Sequence, residues 1–155
     1  MRRTGAIFAV IALTLAMLGA AQGAELRRVA ADATSLFHAA ERGNPVAQTR
    51  VGFMYETGRG LPQDYLLATY WYRRAAEQGY PPGQQRLGLM YDKGQGVGEN
   101  YIVAHKWLNL AASASGRATR EYYLRLRDAI AGKMTFAQIT EAQRLAREWY
   151  PQREH

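Results

Sequence analysis

Three histidines, thirteen carboxylates and no cysteine make up the reactive inventory of this 155-residue chain. His38, His105 and His155 are far apart, and none falls in a His-Glu-x-x-His or paired-ligand spacing, so they do not read as a metal site. Without cysteine there is no disulfide, zinc thiolate or thiol nucleophile. Ser113 and Ser115 lack a nucleophile-elbow setting and read as polar residues near a helix end. The carboxylates fall on polar helix faces and at helix starts, with no pair singled out for acid–base work. Gly94-Gln95-Gly96-Val97-Gly98 has the composition of a phosphate-cradling loop, but no strand precedes it and no Lys-Ser or Lys-Thr follows. These residues build no catalytic centre, and neither enzymatic activity nor a cofactor is expected.

The glycine run reads instead as a turn, because the chain spells it twice. Gly58-Arg59-Gly60-Leu61 precedes Gly94-Gln95-Gly96-Val97 by 36 positions. The same offset carries Val51-Gly52-Phe53-Met54-Tyr55 onto Leu87-Gly88-Leu89-Met90-Tyr91. It also carries Tyr65, Ala68, Trp71, Ala75 and Ala76 onto Tyr101, Ala104, Trp107, Ala111 and Ala112. One fixed period of this length marks stacked helical repeats. The expected fold class is all-α, an α/α solenoid of antiparallel helix pairs.

The helices that must position these residues follow from spacing and punctuation. Leu26, Val29, Ala33, Leu36, Phe37 and Ala40 recur at helical steps and make an N-terminal half repeat over 24–43. Repeat 1 (44–79) pairs a helix over about 46–57 with one over about 65–78, and Asp64 is placed to cap the second. Repeat 2 (80–115) pairs helices over about 83–93 and 100–113, with Asn100 in the place of Asp64. Gly52 and Gly88 lie inside helices, where each costs about 1 kcal/mol against Ala. That cost makes sense if a partner helix crosses too closely for a side chain, with Ala68 and Ala104 as the small face opposite. After Gly116 the period is lost. A helix over 117–131, with Tyr122, Tyr123, Leu126 and Ile130 inward, precedes one started by a Thr135…Gln138 capping box. Phe136, Ile139, Ala142, Ala146 and Trp149 form the inner stripe of that last helix. This pair (116–150) reads as the terminal cap an open solenoid needs, followed by a tail over 151–155.

The formal net charge of +7 is spread, with Lys and Arg interleaved with Asp and Glu. A nucleic-acid partner would call for a basic stripe, and there is none. Met1-Arg2-Arg3, the apolar run Ile7 to Leu18 and Ala21-Gln22-Gly23 have the three parts of a secretory signal, with cleavage favoured before Ala24. The alternative is an uncleaved anchor, for which the run is short of a full span. No cysteine follows, which excludes a lipid-modified N-terminus. The expectation is a periplasmic or secreted protein without a stable membrane anchor, built as one solenoid domain over 24–150.

Taken together these residues resemble the Sel1-like repeat family, a branch of the tetratricopeptide-type helical repeats. The family pattern appears as Gly52-Phe53-Met54-Tyr55, Gly58-Arg59-Gly60, Asp64, Ala68, Trp71-Tyr72, Ala75-Ala76 and Gly79. A second copy departs at Asn100 and Leu108, and the first has Val51 for Leu. The resemblance covers about 39–112 and implies an exported bacterial protein, acting as a non-catalytic adaptor or regulator in the envelope. Some cysteine-rich members are linked to β-lactam hydrolysis, but this chain lacks both the cysteines and a Ser-x-x-Lys motif. The implied partner is another envelope protein, through a peptide or helix segment. A cell-wall-associated factor contacting peptidoglycan or exopolysaccharide is the second reading. Stacking aromatics exposed in a groove would favour the glycan, whereas Trp71 and Trp107 are expected between helices. In related repeats the first helix of each pair lines a concave groove. Carried over, Thr49, Phe53, Glu56, Gln85, Leu89, Asp92 and Lys93 would line it here. The competing assignment packs Phe53 and Leu89 against neighbouring helices.

Overall fold

The computed structural model describes residues 4–152, with side chains from Gly19 onward except at 21, 26, 29 and 30. Met1-Arg2-Arg3, His155, the apolar side chains of 7–18 and the inward positions expected at Leu26 and Val29 therefore lie outside the described residues. Among those described there are seven α-helices: α1 (Thr4–Glu41), α2 (Pro45–Thr57), α3 (Tyr65–Glu77), α4 (Pro81–Lys93), α5 (Tyr101–Ser113), α6 (Arg117–Ala131) and α7 (Phe136–Arg147). They divide into two compact units. The described part of the first, Met1–Leu36, belongs to α1; the second, Phe37–His155, holds the last residues of α1 and the other six helices. No helix among the described residues is long and apolar enough to cross a membrane.

Helix ends follow local chemistry. The Asn44, Asp64 and Asn100 side chains accept hydrogen bonds from Ala47, Leu67 and Val103 N–H at 3.0, 3.0 and 3.1 Å. Each satisfies an N–H that the first turn leaves without a partner. α4 begins at Pro81, earlier than the expected Gly83, because prolines in a first turn forfeit no hydrogen bond. α2 and α4 end on Gly58 and Gly94 at φ +70° and +63°, a left-handed conformation that glycine adopts without a Cβ penalty. Both turns then close identically, with Asp64 N–H on the Tyr55 carbonyl and Asn100 N–H on the Tyr91 carbonyl, each at 2.9 Å. Thr135 and Gln138 form the full capping box on α7.

Within each repeat, α2 packs on α3 and α4 on α5, and α3 packs on α4 to join the repeats. A Cβ built on Gly52 would stand 2.7 Å from the Tyr72 ring and 3.2 Å from the Ala68 carbonyl oxygen. On Gly88 it would stand 3.1 Å from both the Ala104 carbonyl oxygen and Leu108 Cγ. The two helical glycines thus mark the close crossings expected of them. Gly96 serves the joint between repeats: a Cβ there would fall 1.9 Å from the Tyr65 carbonyl oxygen, and the neighbouring Gln95 carbonyl accepts from the Thr69 hydroxyl at 3.1 Å. One apolar cluster runs through this joint, with Tyr72, Leu87, Met90, Trp107 and Ala146 among its members.

A polar link recurs at the same offset. Buried Gln48 donates from Nε2 to the Ala40 carbonyl at 3.1 Å, and buried Gln84 does the same to Ala76 at 3.2 Å. Both carbonyls lie in the last turn of a helix, where each also accepts from the N–H of the glycine just beyond it, Gly43 at 3.1 Å and Gly79 at 2.9 Å. In repeat 1 the other end of the amide is also satisfied, since Gln78 Nε2 donates to Gln48 Oε1 at 2.8 Å. Ala114 stands at the position of Gln78 one repeat on. Gln84 Oε1 is accordingly buried without a partner.

The C-terminal helices depart from the expected pair. α6 and α7 both pack on α5, with little contact between them. Ala142 and Ala146 are buried in α7, but Phe136, at its first position, is 84% exposed, so the inner stripe begins at Ile139. On α6, Tyr123 and Ile130 are buried while Tyr122 is 46% exposed. His105 of α5 is 2% exposed with Nδ1 unpartnered, and its pKa is lowered, first by burial and then by the Arg127 cation, with Asp128 opposing.

Four stability measurements follow. Gly52→Ala should cost about 1–2 kcal/mol in urea unfolding despite the better helix propensity of Ala, since the Tyr72 ring must shift. Gly98→Ala, in open space, should stay within about 0.5 kcal/mol. Ala114→Gln should raise stability by about 1 kcal/mol by giving Gln84 Oε1 a donor; an unchanged midpoint would mean the new amide does not reach it. For His105 the folded pKa lies below the ordinary value of 6.5. Above that value both states are neutral. As pH falls through it, the unfolded chain takes up a proton that the folded chain refuses, so stability drops by at most about 1.4 kcal/mol per unit. His105→Thr, which installs the residue found at the equivalent position 69, should flatten this slope in melts from pH 7 to 5.

Candidate interaction surface

The first helices of the two repeats, α2 and α4, carry the residues expected to line a groove. Phe53 is half-buried and leans on the main apolar cluster. Two guanidinium groups lie over its ring, Arg86 at 5.0 Å and Arg59 at 5.7 Å from the centroid. Arg86 also reaches Glu56 at 3.2 Å, and the Tyr72 hydroxyl donates to the same Glu56 oxygen at 2.5 Å. Burial, then that hydrogen bond, hold the Tyr72 pKa far above its ordinary value, so the hydroxyl stays a donor. Arg86 therefore ties α4 to α2 through both an aromatic face and a carboxylate.

The other expected residues have different surroundings. The Thr49 hydroxyl donates to the Pro45 carbonyl of its own helix at 2.9 Å. Gln85 is only 8% exposed, Leu89 is half-buried and Lys93 is exposed. Asp92 accepts from Lys133 at 2.8 Å, and that ammonium also lies 5.1 Å from the Tyr101 ring centroid. The hydrogen bond to Asp92 raises the Lys133 pKa. The structure thus brings Phe53 and Glu56 together through Arg86, while Asp92 is held by the turn between α6 and α7.

The sequence names Arg59 and Tyr72 only as members of the repeat pattern, and neither they nor Arg86 are expected on this face. For Arg86 a signal existed: Arg50 precedes it by one period, so arginine recurs on the first helix of both repeats. Arg59 lies in the glycine turn, where Gln95 is its counterpart, and no period could have flagged it. Trp71 and Trp107 are buried, at 8% and 5% exposed, and the large exposed aromatics among the described residues are Tyr70, Tyr122, Phe136 and Tyr150. No group of three or more His, Asp or Glu side chains among the described residues could hold a metal ion.

Comparison with known proteins agrees with the repeat fold. The family model described as Sel1 repeat matches residues 45–80 and 81–115. No match was found among curated proteins. Among solved structures, the chain is similar to c5321, a protective antigen present in uropathogenic Escherichia coli strains and displaying an SLR fold. The TM-score is 0.69 at 29% identity, covering 75% of this chain and 24% of that one. A Sel1 repeat protein from Oxalobacter formigenes is similar with a TM-score of 0.53 at 40% identity, covering 59% of this chain and 26% of that one. The chain spans about a quarter of the length of these two proteins. Sel1 repeats are in general protein–protein interaction modules. With two consecutive Sel1 repeats on a helical solenoid of matching geometry, this chain belongs to the Sel1-like repeat family.

Proposed function

We propose that this protein is an exported, non-catalytic adaptor or regulator of the bacterial envelope, and that it holds a peptide or helix segment of another envelope protein on the α2–α4 face. The observation that carries the site is the Phe53 ring with Arg59 and Arg86 over it. The carboxylates of that face are already engaged, Glu56 by Tyr72 and Arg86, and Asp92 by Lys133. What remains open is apolar surface flanked by the exposed cations Arg59 and Lys93, which suits a segment with an apolar anchor beside acidic groups. Export rests on the N-terminal arrangement of Arg2, Arg3, the apolar run and Ala21-Gln22-Gly23. Only part of a solenoid of this length is available for contact, so the interface is small and the complex transient.

In-cell crosslinking of the tagged protein, followed by mass spectrometry, tests both parts. The intact mass should begin at Ala24; retention of residues 1–23 would overturn cleavage. One envelope protein should be enriched, and its purified form should bind the parent at least about tenfold more tightly than an Arg59→Glu, Leu89→Asp variant whose melting curve is unchanged. Equal binding by the variant would remove this face as the site. Copurification of glycan in place of protein would support the cell-wall reading instead.

A further inference from the structure

The C-terminal residues Trp149 to Gln152 turn back onto the junction between α3 and α4. The Trp149 ring meets Trp107 edge-on, with centroids 5.8 Å apart and planes at 73°. A methyl group placed on Gly79 would stand 3.5 Å from the Pro151 ring and 3.6 Å from Trp149. Gln152 N–H donates to the Glu77 carbonyl at 2.6 Å, satisfying a carbonyl at the very end of α3. The segment therefore seats an indole, a proline ring and a backbone donor in one cleft.

One period earlier the same cleft is filled from within. Glu41, Gly43 and Trp71 stand where Glu77, Gly79 and Trp107 stand in the next repeat, and Gly43 and Gly79 share φ values of +89° and +84°. There the Arg74 guanidinium lies 5.1 Å from the Trp71 ring centroid and donates to the Glu41 carbonyl at 3.2 Å. Arg74 thus satisfies the helix-end carbonyl, and it covers the tryptophan together with Tyr70, whose ring meets Trp71 edge-on at 5.2 Å. The counterpart of Arg74 in repeat 2 is Leu110, which can cover but cannot donate. In repeat 2 the Lys106 ammonium lies over the Trp107 ring at 4.5 Å, but Leu110 brings no donor to the Glu77 carbonyl, and the returning segment supplies that donor together with a second aromatic ring.

Trp149 packs on the main apolar cluster, but the residues after it are held by little. They are non-helical, Tyr150 is 77% exposed, and among the described residues the Gln152 N–H on the Glu77 carbonyl is their one backbone hydrogen bond to the repeats. Pro151 has no N–H to lose and biases Tyr150 toward an extended backbone. Proline-bearing extended segments on aromatic clefts are a recurring recognition mode. We propose that the cleft of Trp107, Gly79 and the Glu77 carbonyl is a docking site for an extended aromatic–x–proline segment of a partner protein, with Trp149–Gln152 as its exchangeable resident. This site is separate from the α2–α4 face, and the failure of either leaves the other standing.

The test titrates a labelled Glu-Trp-Tyr-Pro-Gln peptide, the sequence of residues 148–152, into the full chain and into a Trp149→Ala, Pro151→Ala variant, read by fluorescence anisotropy. A tethered tail competes at an effective concentration in the millimolar range. The variant should accordingly bind at least about tenfold more tightly than the full chain, and a peptide with Ala in place of Trp should not bind. Equal affinity for both proteins places the peptide elsewhere, and absence of binding to the variant denies the cleft its recognition; either result overturns the proposal. Should the variant fail to fold, amide exchange on the full chain decides. Gln152 N–H should exchange at least about a hundredfold faster than the interior of α5, whereas equal protection makes the tail a fixed part of the core.

Discussion

The contact on which this structure depends is the crossing of one helix backbone over another without an intervening side chain. At Gly52 a Cβ would collide with the Tyr72 ring at 2.7 Å, and at Gly88 it would press on Leu108 and the Ala104 carbonyl at 3.1 Å. A helix that approaches this closely can do so at few angles, because the ridges beside the glycine must drop into fixed grooves. Large side chains then fill the flanking space, Met90 and Trp107 among them. With the angle set twice by the same pair of residue types, the second repeat repeats the orientation of the first. The helix-end carbonyls consequently recur in places where one buried glutamine can reach each of them.

The two repeats differ most where the array stops. Tyr72, Arg74 and Gln78 of the first are replaced by Leu108, Leu110 and Ala114 in the second. The first three carry polar links, to Glu56, to the Glu41 carbonyl and to Gln48. Of their replacements, Leu108 packs with Ile130 of α6, and Leu110 belongs to the cluster that includes Ala146 of α7. Terminal surfaces of a solenoid must be closed by something unlike another repeat. Here apolar substitutions on α5 accept α6 and α7, and the polar functions they displaced are met elsewhere or, at Gln84 Oε1, not at all.

Much of this was legible before any coordinates, for reasons that can be named. Caps and turns are short-range, so Asp64, Asn100, Thr135 and the left-handed glycines announced helix ends within a residue or two. Period supplied the rest of the repeats, because side chains with the same job recur at the same offset. Gln48 with Gln84, and Arg50 with Arg86, obey that rule too, but the recurrence of a polar residue does not say whether it is buried or which helix it reaches. The cap was harder. The stripe of Ile139, Ala142 and Ala146 shows that α7 has an inner face, but amphipathicity carries no information about which helix receives it, and α5 took it instead of α6. Nor can periodicity tell that a helix's first residue, Phe136, stands clear of the body. For the groove, sequence could place Phe53 and Glu56 on one helix, but not the Arg86 that joins them across two.

The arginines around Phe53 show how a nearly balanced surface acquires a sign. Glu56 is shared between a neutral phenol and one guanidinium, and Asp92 is taken by Lys133. Arg59 has no carboxylate among the described residues and is held by the Phe53 ring alone. An aromatic face positions a cation but leaves its charge uncompensated, since the ring offers a quadrupole and no counter-ion. An exposed pair would be screened and would contribute little to either stability or recognition. A cation kept in place by a ring, beside apolar surface, is already ordered for an incoming carboxylate, and the entropy of ordering it has been spent in folding. Under the proposed function, the face would discriminate by charge through a residue that otherwise serves as a lid on Phe53.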